Sequence, residues 1–127
     1  WLENVQTGSE DVLFATNMGH KFYGSLKEWT ETAMDITERE LTKREMLVTA
    51  SASKKLKLSV NSIKGTFGFA VVRVETTLKA ETSDGYVNTY IGDNRSPATI
   101  YRAADGAVMR AVAEMLRDGN IVAFLTE

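Results

Sequence analysis

The chain has no cysteine, a single histidine (His20) and a single proline (Pro97) in 127 residues. Without cysteine there can be no disulfide, no thiolate nucleophile and no Cys-ligated metal. A lone imidazole falls short of the two or more His or Cys ligands that metal sites usually need. A catalytic couple on His20 would want a nucleophile elbow, and Gly24-Ser25 is not one. No window approaches the roughly 20 apolar residues that span a bilayer. The formal net charge of −2 provides no global field to draw in nucleic acid or anionic lipid. Neither G-x-G-x-x-G nor G-x-x-x-x-G-K-[ST] occurs, so the phosphate-binding glycine patterns are missing. The expectation is therefore a non-enzyme with no cofactor, no metal and no nucleic-acid partner.

What is present is the composition of a globular domain, 43% hydrophobic and 25% charged. Residues 1–10 show no period and read as a flexible lead-in to one domain over residues 11–127. Val12-Leu13-Phe14-Ala15 is short enough for a buried strand. The segment 17–24, framed by Gly19 and Gly24, reads as a loop. It lies before a helix N terminus, where α/β proteins bind anions, but an ordinary connection with an aromatic staple fits it better.

Ser25 followed by Glu28 is a capping-box pattern, and Leu26, Trp29, Ala33, Ile36 and Leu41 continue one apolar stripe to about Arg44. Met46-Leu47-Val48 then predicts a strand parallel to the first. Leu56, Leu58 and Val60 alternate with polar residues, and Lys64-Gly65 ends that strand. The long run from Thr66 to Thr82 changes phase near Gly68, which predicts either burial on both faces or a bulge. Asp84-Gly85 predicts a hairpin turn of type I′. The next strand holds Tyr86 to Ile91 and ends in a polar loop, Gly92 to Pro97. A helix over Tyr101 to Arg117 carries Ala104, Ala107, Val108, Ala111, Val112, Met115 and Leu116 on one face. Gly106 is expected where it runs closest to the sheet. Asp118-Gly119 stops it, and Ile121 to Leu125 predicts a final strand. The fold class is α+β: two helices on one face of a mixed, mostly antiparallel sheet of about six strands.

Candidate contact residues are few. Lys54, Lys55 and Lys57, with Lys64, make the densest basic patch, which a solvated strand discouraging edge pairing explains better than phosphate contact. Tyr86 and Tyr90 share a strand face that is a contact surface if exposed and core if a helix covers it. Asp84, Asp93 and Asp105 are scattered and form no recognisable acid/base pair.

The stretch Ala103-Ala104-Asp105-Gly106-Ala107-Val108, continuing through Met115-Leu116-Arg117-Asp118 to Ile121-Val122-Ala123-Phe124-Leu125, resembles the end of small bacterial cell-envelope lipoproteins of the YajG-like type. Asp84-Gly85-Tyr86 and the polar stretch Gly92 to Ser96 precede it in the expected order, so the resemblance covers roughly residues 55–125. It implies no catalytic residues. It implies a domain on the periplasmic side of the outer membrane, held by a lipid anchor upstream of Trp1 and binding a protein, glycan or lipid partner in assembly or transport. A start at Trp1 rather than Met is expected of a processed chain. The alternative is a cytoplasmic interaction or oligomerisation module that uses an exposed sheet edge or the Tyr86/Tyr90 face. A third class, a hydrolase or transferase at loops 17–24 and 92–99, would rest on His20, Asp93 and Arg95.

Overall fold

The computed structural model describes residues 2–17, 19–44, 54–68, 70–97 and 99–126. In chain order its elements are β1 (Leu2–Asn4), β2 (Asp11–Asn17), β3 (His20–Ser25), α1 (Leu26–Lys43), β4 (Leu56–Phe67), β5 (Val72–Thr82), β6 (Val87–Ser96), α2 (Ile100–Arg117) and α3 (Gly119–Thr126). The α+β class holds, with two corrections of count. Among the described residues there are three helices, and the six strands divide into a four-stranded mixed sheet, ordered β1-β4-β5-β6, and a separate β2-β3 hairpin. The strand expected at Met46-Leu47-Val48 lies outside the described residues.

Among the described residues the parallel pair is β1 with β4. Leu2 to Asn4 lie beside Leu56 to Leu58, so the lead-in read as flexible carries a strand, and Leu2 is buried. Hydrogen bonds to α1 and β4 rather than periodicity hold this segment. Asn4 Nδ2 donates to the Lys27 carbonyl at 3.1 Å, Gln6 Nε2 donates to the Val60 carbonyl at 2.9 Å, and the Gly8 carbonyl accepts from Lys27 N–H at 3.2 Å. Such bonds leave no pattern in a hydropathy reading.

Strand lengths also depart from expectation. The phase change near Gly68 is a turn: Gly68 N–H donates to the Val71 carbonyl and Ala70 takes φ 59°. It separates β4, which runs on past Lys64-Gly65 to Phe67, from β5. At Thr82 to Tyr86 the hairpin is where Asp84-Gly85 predicted it, but of another type. Gly85 N–H donates to the Thr82 carbonyl and only Gly85 has positive φ, at 101°. That geometry is a type I turn closed by a glycine bulge rather than type I′. The loop expected over 17–24 is mostly β3, paired with β2 through a bulge between Leu13 and Ala15 that lets Phe14 and Ala15 both face inward. Phe14 meets Trp29 edge-on at 4.8 Å.

The helices cover one face of the sheet. Along β5 the inward residues Val72, Val74, Thr76, Leu78, Ala80 and Thr82 are buried, whereas Arg73, Glu75 and Lys79 are exposed. α1 packs on β4 and β1, and α2 on β5 and β6. The expected apolar face of α2 is buried in full. In α1 the buried stripe includes Thr30 and Thr37, whose hydroxyls donate to the carbonyls of Leu26 and Ala33, at 2.8 and 2.7 Å. Thr30 also accepts the Val60 N–H at 2.8 Å, a donor facing outward where β1 has already left the sheet. Replacing Thr30 by the isosteric Val strands that N–H, and a loss of about 1–3 kcal/mol in urea unfolding is the expected result. Thr30→Ser, which keeps the acceptor, should lose less.

Candidate functional site

Tyr86 and Tyr90 turn out to be the covered kind. Tyr90 is 7% exposed, Tyr86 is half-buried, and both hydroxyls converge on one carboxylate. Asp118 Oδ2 accepts from Tyr90 Oη at 2.6 Å, from Tyr86 Oη at 2.7 Å and from Asn88 Nδ2 at 3.2 Å. Its other oxygen, Oδ1, accepts the Asn120 N–H at 3.0 Å, the capping bond that starts α3. Asp118 reads in sequence only as a helix stop. In the fold it ties the start of β6 to the corner between α2 and α3.

This convergence sets the charge state. The Tyr90 hydroxyl, then the Tyr86 hydroxyl, hold the Asp118 carboxyl well below the usual carboxylate range. Burial, then the bond to Asp118, pushes the Tyr90 hydroxyl up from its ordinary value. A carboxylate with a depressed folded-state pKa contributes stability above its unfolded pKa, near about 4, and loses it as acid protonates the native state. The urea midpoint should therefore fall as pH drops below about 4. In Asp118→Asn the midpoint at neutral pH should be lower and that acid dependence weaker. Identical acid profiles for the two proteins would exclude the role.

The second assembly is the face of the sheet that the helices leave open, with Ser59 buried there beneath the Gln6 side chain. Its cross-strand rows read Lys57–Glu81–Val87, Ser59–Lys79–Thr89, Ser62–Thr77–Ile91, Lys64–Glu75–Asp93 and Thr66–Arg73–Arg95. Arg73 grips Asp93 through two nitrogens, Nε at 3.0 Å from Oδ1 and Nη2 at 2.6 Å from Oδ2. Those bonds raise the Arg73 guanidinium and lower the Asp93 carboxyl relative to their ordinary values. Gly92 to Ser96, expected as a loop, extends β6 because β5 supplies a partner as far as Val72–Ser96. At the edge of this face Ile91 is 61% and Val87 48% exposed.

The remaining candidates do not join either assembly. Lys54 Nζ donates to the Phe124 carbonyl at 2.9 Å and lies 5.6 Å over the Phe124 ring, closing the end of α3. Lys55 shares backbone bonds with Ser83, and Lys57 stands on the open face beside Glu81. The three lysines are thus divided between two sides of the sheet. His20 is exposed at the β2–β3 turn, and Asp84 bonds Thr82 within its own turn. Among the described residues no cluster of His, Asp or Glu is placed to hold a metal ion, and no helix is long and apolar enough to cross a membrane. Compared with known proteins, the chain matches no family model and no curated sequence.

Proposed function

We propose that this chain is a non-enzymatic binding domain of the bacterial envelope, and that it presents the open face of its sheet to a protein partner in assembly or transport. One observation carries the reading. Three strands, β4, β5 and β6, are packed by helices on one side only, and the other side displays five cross-strand rows of mixed charge and hydroxyl groups, edged by Val87 and Ile91. Alternating acids and bases on a flat surface select a partner of complementary pattern, with rim charges governing association and specificity more than affinity. Lys57 faces Glu81, Lys64 faces Glu75 and Arg73 reaches diagonally to Asp93, and these opposite charges keep the face soluble while it is free.

The envelope setting and an anchor upstream of Trp1 follow from the resemblance to YajG-like lipoproteins and belong to the same proposal. Fractionation of the native full-length protein, with intact mass of its mature N terminus, tests them. A membrane-bound form with a lipidated cysteine is the expected result, and a soluble form with an unmodified start would discard that setting. The face itself is tested by photo-crosslinking in cells from positions 64 and 79, on β4 and β5, against position 38 on the exposed side of α1. A discrete adduct with a different protein, formed from 64 and 79 but not from 38, is expected. Equal adducts from all three positions would overturn the reading.

A further inference from the structure

We infer that a second copy of this chain pairs with the free edge of β6, antiparallel about a two-fold axis through Ile91, to continue the sheet across both subunits. The inference uses the edge of the sheet rather than its open face, and so does not depend on the reading above. Among the described residues β6 ends the sheet order, ten residues long and paired with a strand on one side only. Thr82 N–H donates to the Tyr86 carbonyl, and the register continues from that bond in steps of two. Residues 88, 90, 92 and 94 therefore turn their backbone groups toward β5, and residues 87, 89, 91, 93 and 95 turn theirs outward. Outward groups that no neighbouring strand takes up, beside an exposed Ile91 and Val87, are a template for another strand.

The residues along the edge select both partner and register. Pairing about Ile91 sets Val87 against Arg95, Thr89 against Asp93 and Ile91 against its own copy. It is the two-fold register that satisfies all five outward residues among themselves, and it places no like charges opposite. A shift to Asp93 would face that carboxylate with its twin, and a shift to Thr89 would leave Arg95 without a partner in β6. Asn88 Oδ1 holds the Thr89 N–H at 2.8 Å in the single chain, and it yields to the Asp93 carbonyl of the second copy.

The helix layer fits the same axis. Asn94 donates to the Ala103 carbonyl, and Gly92 lies under Ala107 and Ala111, so α2 runs antiparallel to β6 with residues 110–114 level with Ile91. An open groove of about 510 Å³ separates the edge from α2, lined in part by Arg110, Ala113 and Glu114. Because α2 lies over β5 and β6, joining two β6 strands brings the two α2 axes to about 10 Å, the spacing of packed helices. Antiparallel α2 helices then set Arg110 against Glu114 of the second copy, twice, with Ala113 small enough to let them close.

Sedimentation and a single added cysteine test this together, because the chain has no thiol of its own. A concentration-dependent monomer–dimer profile is expected. Ile91→Cys should oxidise readily to a covalent dimer, since facing residues in this pairing lie about 5.5 Å apart at Cα, within disulfide reach. Thr89→Cys should not, its copy being about 13 Å away. Arg110→Glu and Glu114→Arg should each weaken the dimer about tenfold, and the double variant should restore it. A strict monomer at the highest soluble concentration overturns the inference, as does equal crosslinking at 89 and 91.

Discussion

Gly92→Val is expected to cost about 3 kcal/mol or more, at the upper end of what overpacking does in protein cores. A Cβ on Gly92 would stand 1.9 Å from the Ala107 carbonyl oxygen and 2.7 Å from the Ala111 nitrogen. Both neighbours are backbone atoms of α2, so neither can rotate away, and the helix as a whole must lift from β6. Lifting it also separates Asn94 from the Ala103 carbonyl and loosens the small-residue face of Ala104, Ala107, Val108 and Ala111. Gly119 makes the contrast. Its Cβ would meet nothing within 4 Å, and Gly119→Ala should raise stability by about 0.5 kcal/mol through the unfolded chain's lost freedom. Urea unfolding of the three proteins gives the comparison directly. Similar midpoints for Gly92→Val and wild type would show that α2 does not sit where the structure puts it.

Leu78→Ala should cost about 2–5 kcal/mol, the sum of lost burial and the cavity left behind. Leu78 is 0% exposed and stands on β5 between Val60 and Tyr90. Its neighbour in sequence, Lys79, points to the open face, and Lys79→Ala should change stability by less than about 0.5 kcal/mol. Leu78→Met, which conserves volume, should stay under about 1.5 kcal/mol. Tryptophan fluorescence and circular dichroism followed through one urea titration supply both the midpoints and a check that each variant unfolds in a single step. Comparable losses at 78 and 79 would contradict a sheet with only one covered face.

Both predictions start from patterns visible in the chain, and those patterns show what a linear reading reaches. Ser25 caps α1, its hydroxyl accepting the Glu28 N–H at 3.3 Å, because capping is a matter of neighbours three residues apart. The apolar face of α2 and the turn at Gly85 are equally local. Gly106, expected at a close approach, has the Asn94 side chain where its Cβ would go. Type and place of these elements follow from spacing within one turn or one hairpin.

The candidate site was less accessible to such reading. Tyr86 and Tyr90 could be singled out from their alternation, but not which side of the sheet a helix would take. Asp118 gave no signal beyond a helix stop, since it meets them across 28 and 32 residues and through a corner between two helices. A carboxylate after a helix resembles any other stop signal until the fold brings two hydroxyls to it.

The sequence by itself determined an α+β domain without cysteine chemistry, with one well-capped helix, one small-residue helix and a hairpin at residues 82–86, because each rests on short-range geometry. The tertiary structure alone decided the rest. Ile121 to Leu125, apolar enough for a strand, became α3 because Asp118 caps it and Ile121 and Phe124, one turn apart, both reach the core. Residues 92–96, polar enough for a loop, became strand because β5 lies beside them with unpaired hydrogen-bonding groups. A segment that is ambiguous in isolation takes the form its neighbours can satisfy, and those neighbours are distant in the chain.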